Sequence, residues 1–298
     1  MGKDIISDVM EMARVMKEAA AIEVMPRFMK VQREYKDTAN GRETVTEADR
    51  KASDYILSRR RLVRSGSFSE EDINGQRFLY NSVEMYDPVD GTDEFLSGSK
   101  DGFAMHGALL KRRGEKYKSV GGVIYVPGTE TLWYGDGSRI GYEVSGKARE
   151  MPPLRRDCVR GWLRKIDTTR PTGFFYREGK QVILQDYVTD FYRKLGGSLG
   201  LPSKCIMGGG SGASFSDLLS GKTNIIAVLW DDSKEWDIAM AEPLIKARGG
   251  FLCDFEGSEY SYNRKDHLNR NGFIASIAFK KNEIIPLLSP TMVLTKKT

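Results

Sequence analysis

The chain has 298 residues, 40% hydrophobic and 29% charged, which suits a soluble globular protein of one or two domains with an ample core. Its 46 Lys and Arg against 41 Asp and Glu leave a net charge of +5 on a mixed surface, unlike the one-signed field of a nucleic-acid binder. The longest apolar run, Ile225 to Trp230, is far too short to span a membrane, and three cysteines with two histidines argue against a disulfide framework, a zinc site or a Ser/His triad.

No basic-then-apolar leader opens the chain, because Lys3, Asp4, Ser7, Asp8 and Glu11 interrupt it. The expectation is a cytoplasmic protein with Cys158, Cys205 and Cys253 reduced. Ile5, Val9, Met12, Ala13, Met16 and Ala20 recur at helical spacing, and Pro26 marks the end of that helix. Tyr35 to Glu43 reads as a polar loop. Thr46 and Asp49 then have the spacing of a capping box opening a helix through Ala52, Tyr55 and Ile56. Arg59 to Arg61, Lys111 to Lys118 and Arg155 to Lys165 are basic clusters on solvated faces, able to steer an anionic substrate.

Val83 and Met85 alternate with Ser82, Glu84 and Tyr86, so a short half-buried strand runs into Asp87. Asp87-Pro88-Val89-Asp90-Gly91-Thr92-Asp93 then places three carboxylates within seven residues. Pro88 disfavours helix at Asp87, Gly91 permits a tight turn, and Thr92 is a good N-cap. The amides of Gly91, Thr92 and Asp93 would face anything docked at that helix start. Carboxylate oxygens for hard cations beside backbone donors for an anion are what metal-assisted phosphate chemistry needs. An ordinary surface turn is the competing reading.

Phe103 to Leu110, Val120 to Val126 and Glu130 to Tyr134 read as strands of a β-meander. Together with the preceding helices they predict an α+β domain over residues 1–146, followed by an α/β domain over 147–298. Gln185 to Leu195 reads as a helix. Gly208-Gly209-Gly210-Ser211-Gly212 precedes another around Phe215, Leu218 and Leu219, without the βαβ unit of a dinucleotide fingerprint. Ile225 to Trp230 is an apolar strand. Asp237 can cap a helix carrying Ile238, Ala241, Leu244 and Ile245, with Pro243 set to kink it and Gly249-Gly250 to end it. Strands at Phe251 to Phe255 and Phe273 to Ala278 complete a mixed sheet.

Asp87-Pro-x-Asp90-Gly91-Thr92 resembles the signature of the inositol monophosphatase superfamily, the magnesium-dependent, lithium-sensitive phosphatases. Three further segments resemble that family in the expected order: Val45 to Asp49 its VTxAD stretch, Glu70-Glu71 its Gly-Glu-Glu with Ser69 for the Gly, and Trp236 to Ala239 its W-D-x-A. Because Glu70, Glu71 and Asp72 are consecutive, Glu70 or Glu71 can fill the family's place, and Glu70 is taken. The resemblance implies a layered αβαβα fold, often homodimeric, and two or three Mg²⁺ ions per site. It implies Glu70, Asp87, the Val89 carbonyl and Asp90 on one ion, and Asp87, Asp90 and Asp237 on another. It further implies Glu70, Thr92 and Asp49 as the catalytic groups, Gly91 and Thr92 on the phosphate, and Asp93 and Ser211 on the substrate side. The expected activity is hydrolysis of a small phosphomonoester, inositol monophosphate or a similar polyol phosphate. A 3'(2'),5'-bisphosphate nucleotidase is the alternative, and a non-catalytic metal- or phosphate-binding protein on the same fold is the reading from another class. The expected partner is a small phosphorylated metabolite, with no nucleic acid and no membrane.

Overall fold

Helix α1 (Ile5–Ala19) buries Val9, Met12, Ala13, Val15, Met16 and Ala19, which is the apolar stripe its spacing predicts. In the computed structural model, which describes residues 4–38, 41–152, 159–163, 174–177, 180–183, 203–207, 210–223, 225–228, 233–269 and 272–287, this helix loosens into a π turn over Ala20–Val24. It ends in a 3₁₀ turn that contains Pro26.

The expected polar loop is instead an antiparallel hairpin, β1 (Glu34–Thr38) against β2 (Gly41–Val45). Its strand pattern is hidden in the sequence because the facing pair Lys36 and Glu43 is charged and points at other charged groups. Helix α2 (Glu47–Arg60) opens with the predicted capping box: the Ala48 N–H donates to the Thr46 hydroxyl, and the Thr46 N–H donates to Asp49.

A sheet in chain order follows, β3 (Phe68–Ser69), β4 (Ser82–Asp90), β5 (Ala104–Arg113), β6 (Lys116–Val126), β7 (Thr131–Gly135), β8 (Ile140–Val144) and β9 (Lys147–Ala148). Its pairs are antiparallel except β3 with β4. The predicted meander is present and runs two strands further. Helix α3 (Thr92–Ser97) leaves the end of β4. One sheet face packs Tyr86, Val89, Met105, Leu109 and Val123 against α1 and α2. The other packs Val83, Met85, Ile124 and Trp133 against residues from the second half of the chain. Strand β4 is therefore covered on both faces and not half-buried.

In the second half, β10 (Val159–Leu163) runs parallel to β13 (Ser203–Met207), and β11 (Phe174–Arg177) forms a hairpin with β12 (Lys180–Ile183). Strands β14 (Ile225–Val228), β15 (Phe251–Cys253) and β16 (Phe273–Ser276) form an antiparallel sheet with β16 central. Helix α4 (Ser211–Leu219) and the pair α5 (Trp236–Ala239) and α6 (Ala241–Ala247) fill the space between the sheets through Phe215, Leu218, Met240 and Leu244. The break at Met240, with Pro243 in the first turn of α6, is the interruption the proline predicts. A short α7 (Lys281–Ile284) comes last. The expected Gln185 to Leu195 helix lies outside the described residues. Helices, sheet, helices and sheet give the layered mixed α/β fold, and the hydrophobic cluster between layers draws on residues from both sides of position 146.

One charged side chain is fully enclosed in β4. Glu84 is 0% exposed, accepts Arg60 Nε at 2.9 Å and Nη2 at 2.6 Å, Arg64 Nε at 3.0 Å and the Tyr86 hydroxyl at 2.7 Å. Removing Arg60 takes away the two-pronged partner and leaves Glu84 to Arg64 and Tyr86, so Arg60→Met is expected to cost roughly 1.5–3 kcal/mol in denaturant unfolding. A loss within experimental error would show that the pair is not enclosed.

Candidate active site

A strand's side chains alternate faces, so Asp87 and Asp90, three apart, belong on opposite sides of β4. They do not end there, because the β4–β5 register slips between them: Asp87 faces His106 and Asp90 faces Ala104. The extra residue is accommodated at Pro88-Val89, where proline has no N–H to lose from the ladder. Both carboxylates therefore emerge on one side, joined by His106 on the neighbouring strand. The ligand atoms of Asp87, Asp90 and His106 lie within 4.8 Å of one another, the only such group among the described residues.

The glycine-rich turn before α4 serves this cluster. The Gly212 N–H donates to Asp90 Oδ2 at 2.6 Å and the Ser211 hydroxyl to the same oxygen at 3.0 Å. A Cβ at Gly210 would stand 2.5 Å from that oxygen, so the turn can approach the carboxylate only as glycine. Ser211, expected on the substrate side, spends its hydroxyl on Asp90, with His106 Nε2 3.4 Å away.

Gly91, at φ +86°, turns the chain into α3 and is its N-cap, while Thr92 is the first helical residue. This corrects the expectation that Thr92 caps the helix. Its hydroxyl is thereby left to reach Asp49 Oδ1 at 3.1 Å and the Val89 carbonyl at 3.2 Å. The other Asp49 oxygen accepts the Thr46 N–H and hydroxyl, so capping and contact with Thr92 coexist. Burial pushes the Asp49 carboxyl up, against the Thr46 and Thr92 hydrogen bonds, to about 6.

The Glu70 N–H donates to the Tyr86 carbonyl at 3.0 Å, which sets its carboxylate near Asp87. Its Oε1 accepts Lys36 Nζ at 3.1 Å and Lys234 Nζ at 3.0 Å, and its Oε2 accepts Trp236 Nε1 at 2.9 Å. Burial alone would raise this carboxyl, but the Lys234 and Lys36 ammonium groups outweigh it and hold Glu70 well below the usual range. Glu71 binds Lys36 and is pushed up to about 7 by burial and by Glu70. Of the two glutamates Glu70 is the one whose charge acts on Asp87. Asp87 itself is driven well above the ordinary carboxylate range by burial, then by Glu70, Asp90 and Asp237. Asp237 is thus electrostatically part of the cluster, although its oxygens are outside the Asp87, Asp90 and His106 group. It accepts the Lys234 N–H at 2.7 Å, and Glu235, not Asp237, is the residue before α5.

Asp93 accepts hydrogen bonds from Arg33 and, at 3.2 Å, from the Thr44 hydroxyl. Reading the sequence does not single out His106, Lys36, Lys234 or Arg33. His106 alone left a signal, as the one polar side chain in the apolar run Phe103 to Leu110.

With this geometry in place, comparison with known proteins is decisive. The profile of the inositol monophosphatase family matches residues 6–290. The chain belongs to the inositol monophosphatase family. Solved structures similar to it include the IMPase of Thermotoga maritima (TM-score 0.68, 18% identity, 94% of this chain and 96% of that one). CysQ from Bacteroides thetaiotaomicron has a TM-score of 0.67 and 20% identity over 93% of this chain and 100% of its own. A Staphylococcal IMPase reaches 0.69 at 16% identity, covering 99% and 100%. A 3'(2'),5'-bisphosphate nucleotidase 1 of Mus musculus is 30% identical over 77 residues, 26% of this chain and 25% of its own length. Family membership fits the donor set: clustered carboxylate oxygens are the ligands that a hard divalent cation takes.

A carboxyl whose hold on its proton is strengthened by its neighbours gives that proton up to solvent when a cation takes its place. Mg²⁺ or Mn²⁺ binding is therefore expected to release protons and to tighten as pH rises, by up to about tenfold per unit. Calorimetry in buffers of different ionisation enthalpy reads this directly, and binding heats independent of buffer would contradict the raised Asp87.

Proposed function

We propose that the protein is a Mg²⁺-dependent phosphomonoesterase acting on a small-molecule phosphate, with inositol monophosphate or a similar polyol phosphate as its substrate class. The observation that carries this reading is the convergence of Asp87, Asp90 and His106 beside the Thr92–Asp49 pair. Asp87, Asp90 and Asp237, with the Val89 carbonyl and His106, would hold the divalent cations. When bound, these supply positive charge to the phosphoryl oxygens and make water acidic enough to attack at neutral pH. The chain's own groups do the rest. The Gly91 and Thr92 amides hold phosphate oxygens at the start of α3. The Thr92 hydroxyl passes the proton of the attacking water to Asp49, whose raised affinity for protons suits it to accept one near neutral pH. Glu70, kept ionised by its lysines, adds negative charge that favours cations nearby.

A 3'(2'),5'-bisphosphate nucleotidase remains the second reading. A bare Asp93 carboxylate would repel a second phosphate. Arg33 pairs with Asp93 and removes that objection, and the Mus musculus nucleotidase segment is similar to this chain.

Purified protein is expected to release inorganic phosphate from small phosphomonoesters in Mg²⁺ and to stop on chelation. Asp90→Asn and Asp237→Asn should abolish turnover, whereas Thr92→Val should lower kcat by roughly 10²–10⁴ with the fold intact. Phosphate release that is unchanged in chelator would rule the reading out. A parallel screen of inositol 1-phosphate and 3'-phosphoadenosine 5'-phosphate separates the two substrate classes.

A further inference from the structure

Two lysines and three glutamates form a chain of ion pairs beside Asp87. Lys234, 8% exposed, donates from Nζ to Glu43 and to Glu70 Oε1. Lys36 donates to the same Glu70 oxygen and to Glu71. Lys36 and Glu43 are cross-strand neighbours in the β1–β2 hairpin. The remaining Glu70 oxygen accepts the Trp236 indole N–H. Both oxygens of Glu70 are therefore bound by donors of this chain, and the positive charge at its Oε1 comes from ammonium groups.

Lys234 is delivered to this place by a rigid backbone. Its N–H is held by Asp237 Oδ2 at 2.7 Å and its carbonyl by the Asn269 side-chain amide at 2.7 Å. Asn269 is bound in turn to Ser233 through its N–H at 2.9 Å and through its side chain at 3.1 Å. The next residue, Glu235, is 0% exposed and binds His267 Nδ1 at 2.6 Å. A lysine on a free loop could swing away when a divalent ion arrives. This one has its main chain fixed on both sides, and its ammonium lies between two carboxylates.

We propose that the Lys234 ammonium is a built-in cation that occupies the metal place at Glu70, so that Glu70 binds no divalent ion and the protein takes one ion fewer than its carboxylates would otherwise accept. The proposal rests on the metal-dependent reading above and departs from the ligand set that the family resemblance implies for Glu70. It makes Lys234 a positioning residue: it holds Glu70 ionised and ties the hairpin to α5 whether or not metal is present.

Counting bound Mn²⁺ per chain, from the electron paramagnetic resonance signal of the free ion, tests this without turnover. Lys234→Gln is expected to bind one more Mn²⁺ than the native chain, and Lys234→Arg the same number as the native chain. Glu70→Gln, with Lys234 in place, should lose none. Equal counts for a folded Lys234→Gln and the native chain, or the loss of an ion in Glu70→Gln, would overturn the proposal. If Lys234→Gln does not fold, Glu70→Gln decides alone. A native chain that binds Mn²⁺ and releases phosphate while Glu70→Gln loses an ion defeats only this proposal, whereas a native chain that binds no Mn²⁺ and releases no phosphate defeats the enzyme reading with it.

Discussion

The structure depends on carboxylates forced together where water cannot screen them. Asp87 and Asp90 are almost buried, at 4% and 8% exposure, and Asp87 feels Glu70, Asp90 and Asp237 at once. Like charges in such a place cost stability unless protons, cations or hydrogen-bond donors compensate them. The fold supplies donors: the Gly212 amide and Ser211 hydroxyl for Asp90, the Val89 amide for Asp87 at 3.1 Å, and the Lys234 amide for Asp237. What these leave uncompensated is the driving force for binding divalent ions. A site built this way carries a cost in stability that a bound cation would relieve.

Backbone devices, more than side-chain choice, bring the acids together. The slip at Pro88-Val89 turns an alternating strand into one that presents two carboxylates on one side. The αL turn at Gly91 then starts α3 so that the Thr92 hydroxyl falls on Asp49, forty-three residues upstream. At Gly91 a Cβ would meet the Gly102 carbonyl at 2.7 Å, which makes the glycine a packing requirement as well as a conformational one. Gly210, which answers Gly102 with an N–H to carbonyl bond of 2.8 Å, brings the second half of the chain against this turn. Residues far apart in sequence thus meet because glycines permit backbone to touch backbone.

The family and most elements were legible in the sequence because they rest on short-range chemistry: helical spacing in α1, the Thr46 to Asp49 cap, the meander of β5 to β7, and the Asp87 to Thr92 loop. The parts that were not legible share a different physics. The β1–β2 hairpin has no apolar alternation, since its inward partners are Lys36 and Glu43, which are satisfied by other charges. His106 joins the site only through strand pairing, which fixes it opposite Asp87. The Asp93 carboxylate reads as a repulsive group until Arg33, sixty residues away, is seen to pair with it. Long-range charge pairing leaves no local pattern, so the charge a substrate would meet at Asp93 cannot be judged from sequence.

If the account is right, the uncompensated charge at Asp87 and Asp90 has a place reserved for a divalent ion. Crystals grown with Mn²⁺ and measured for anomalous scattering test this most directly. The account predicts a strong peak bridging Asp87 and Asp90 on the side shared with His106, next to the Thr92–Asp49 pair. A map at saturating Mn²⁺ with no peak there, or with the ion only at surface carboxylates, would contradict it.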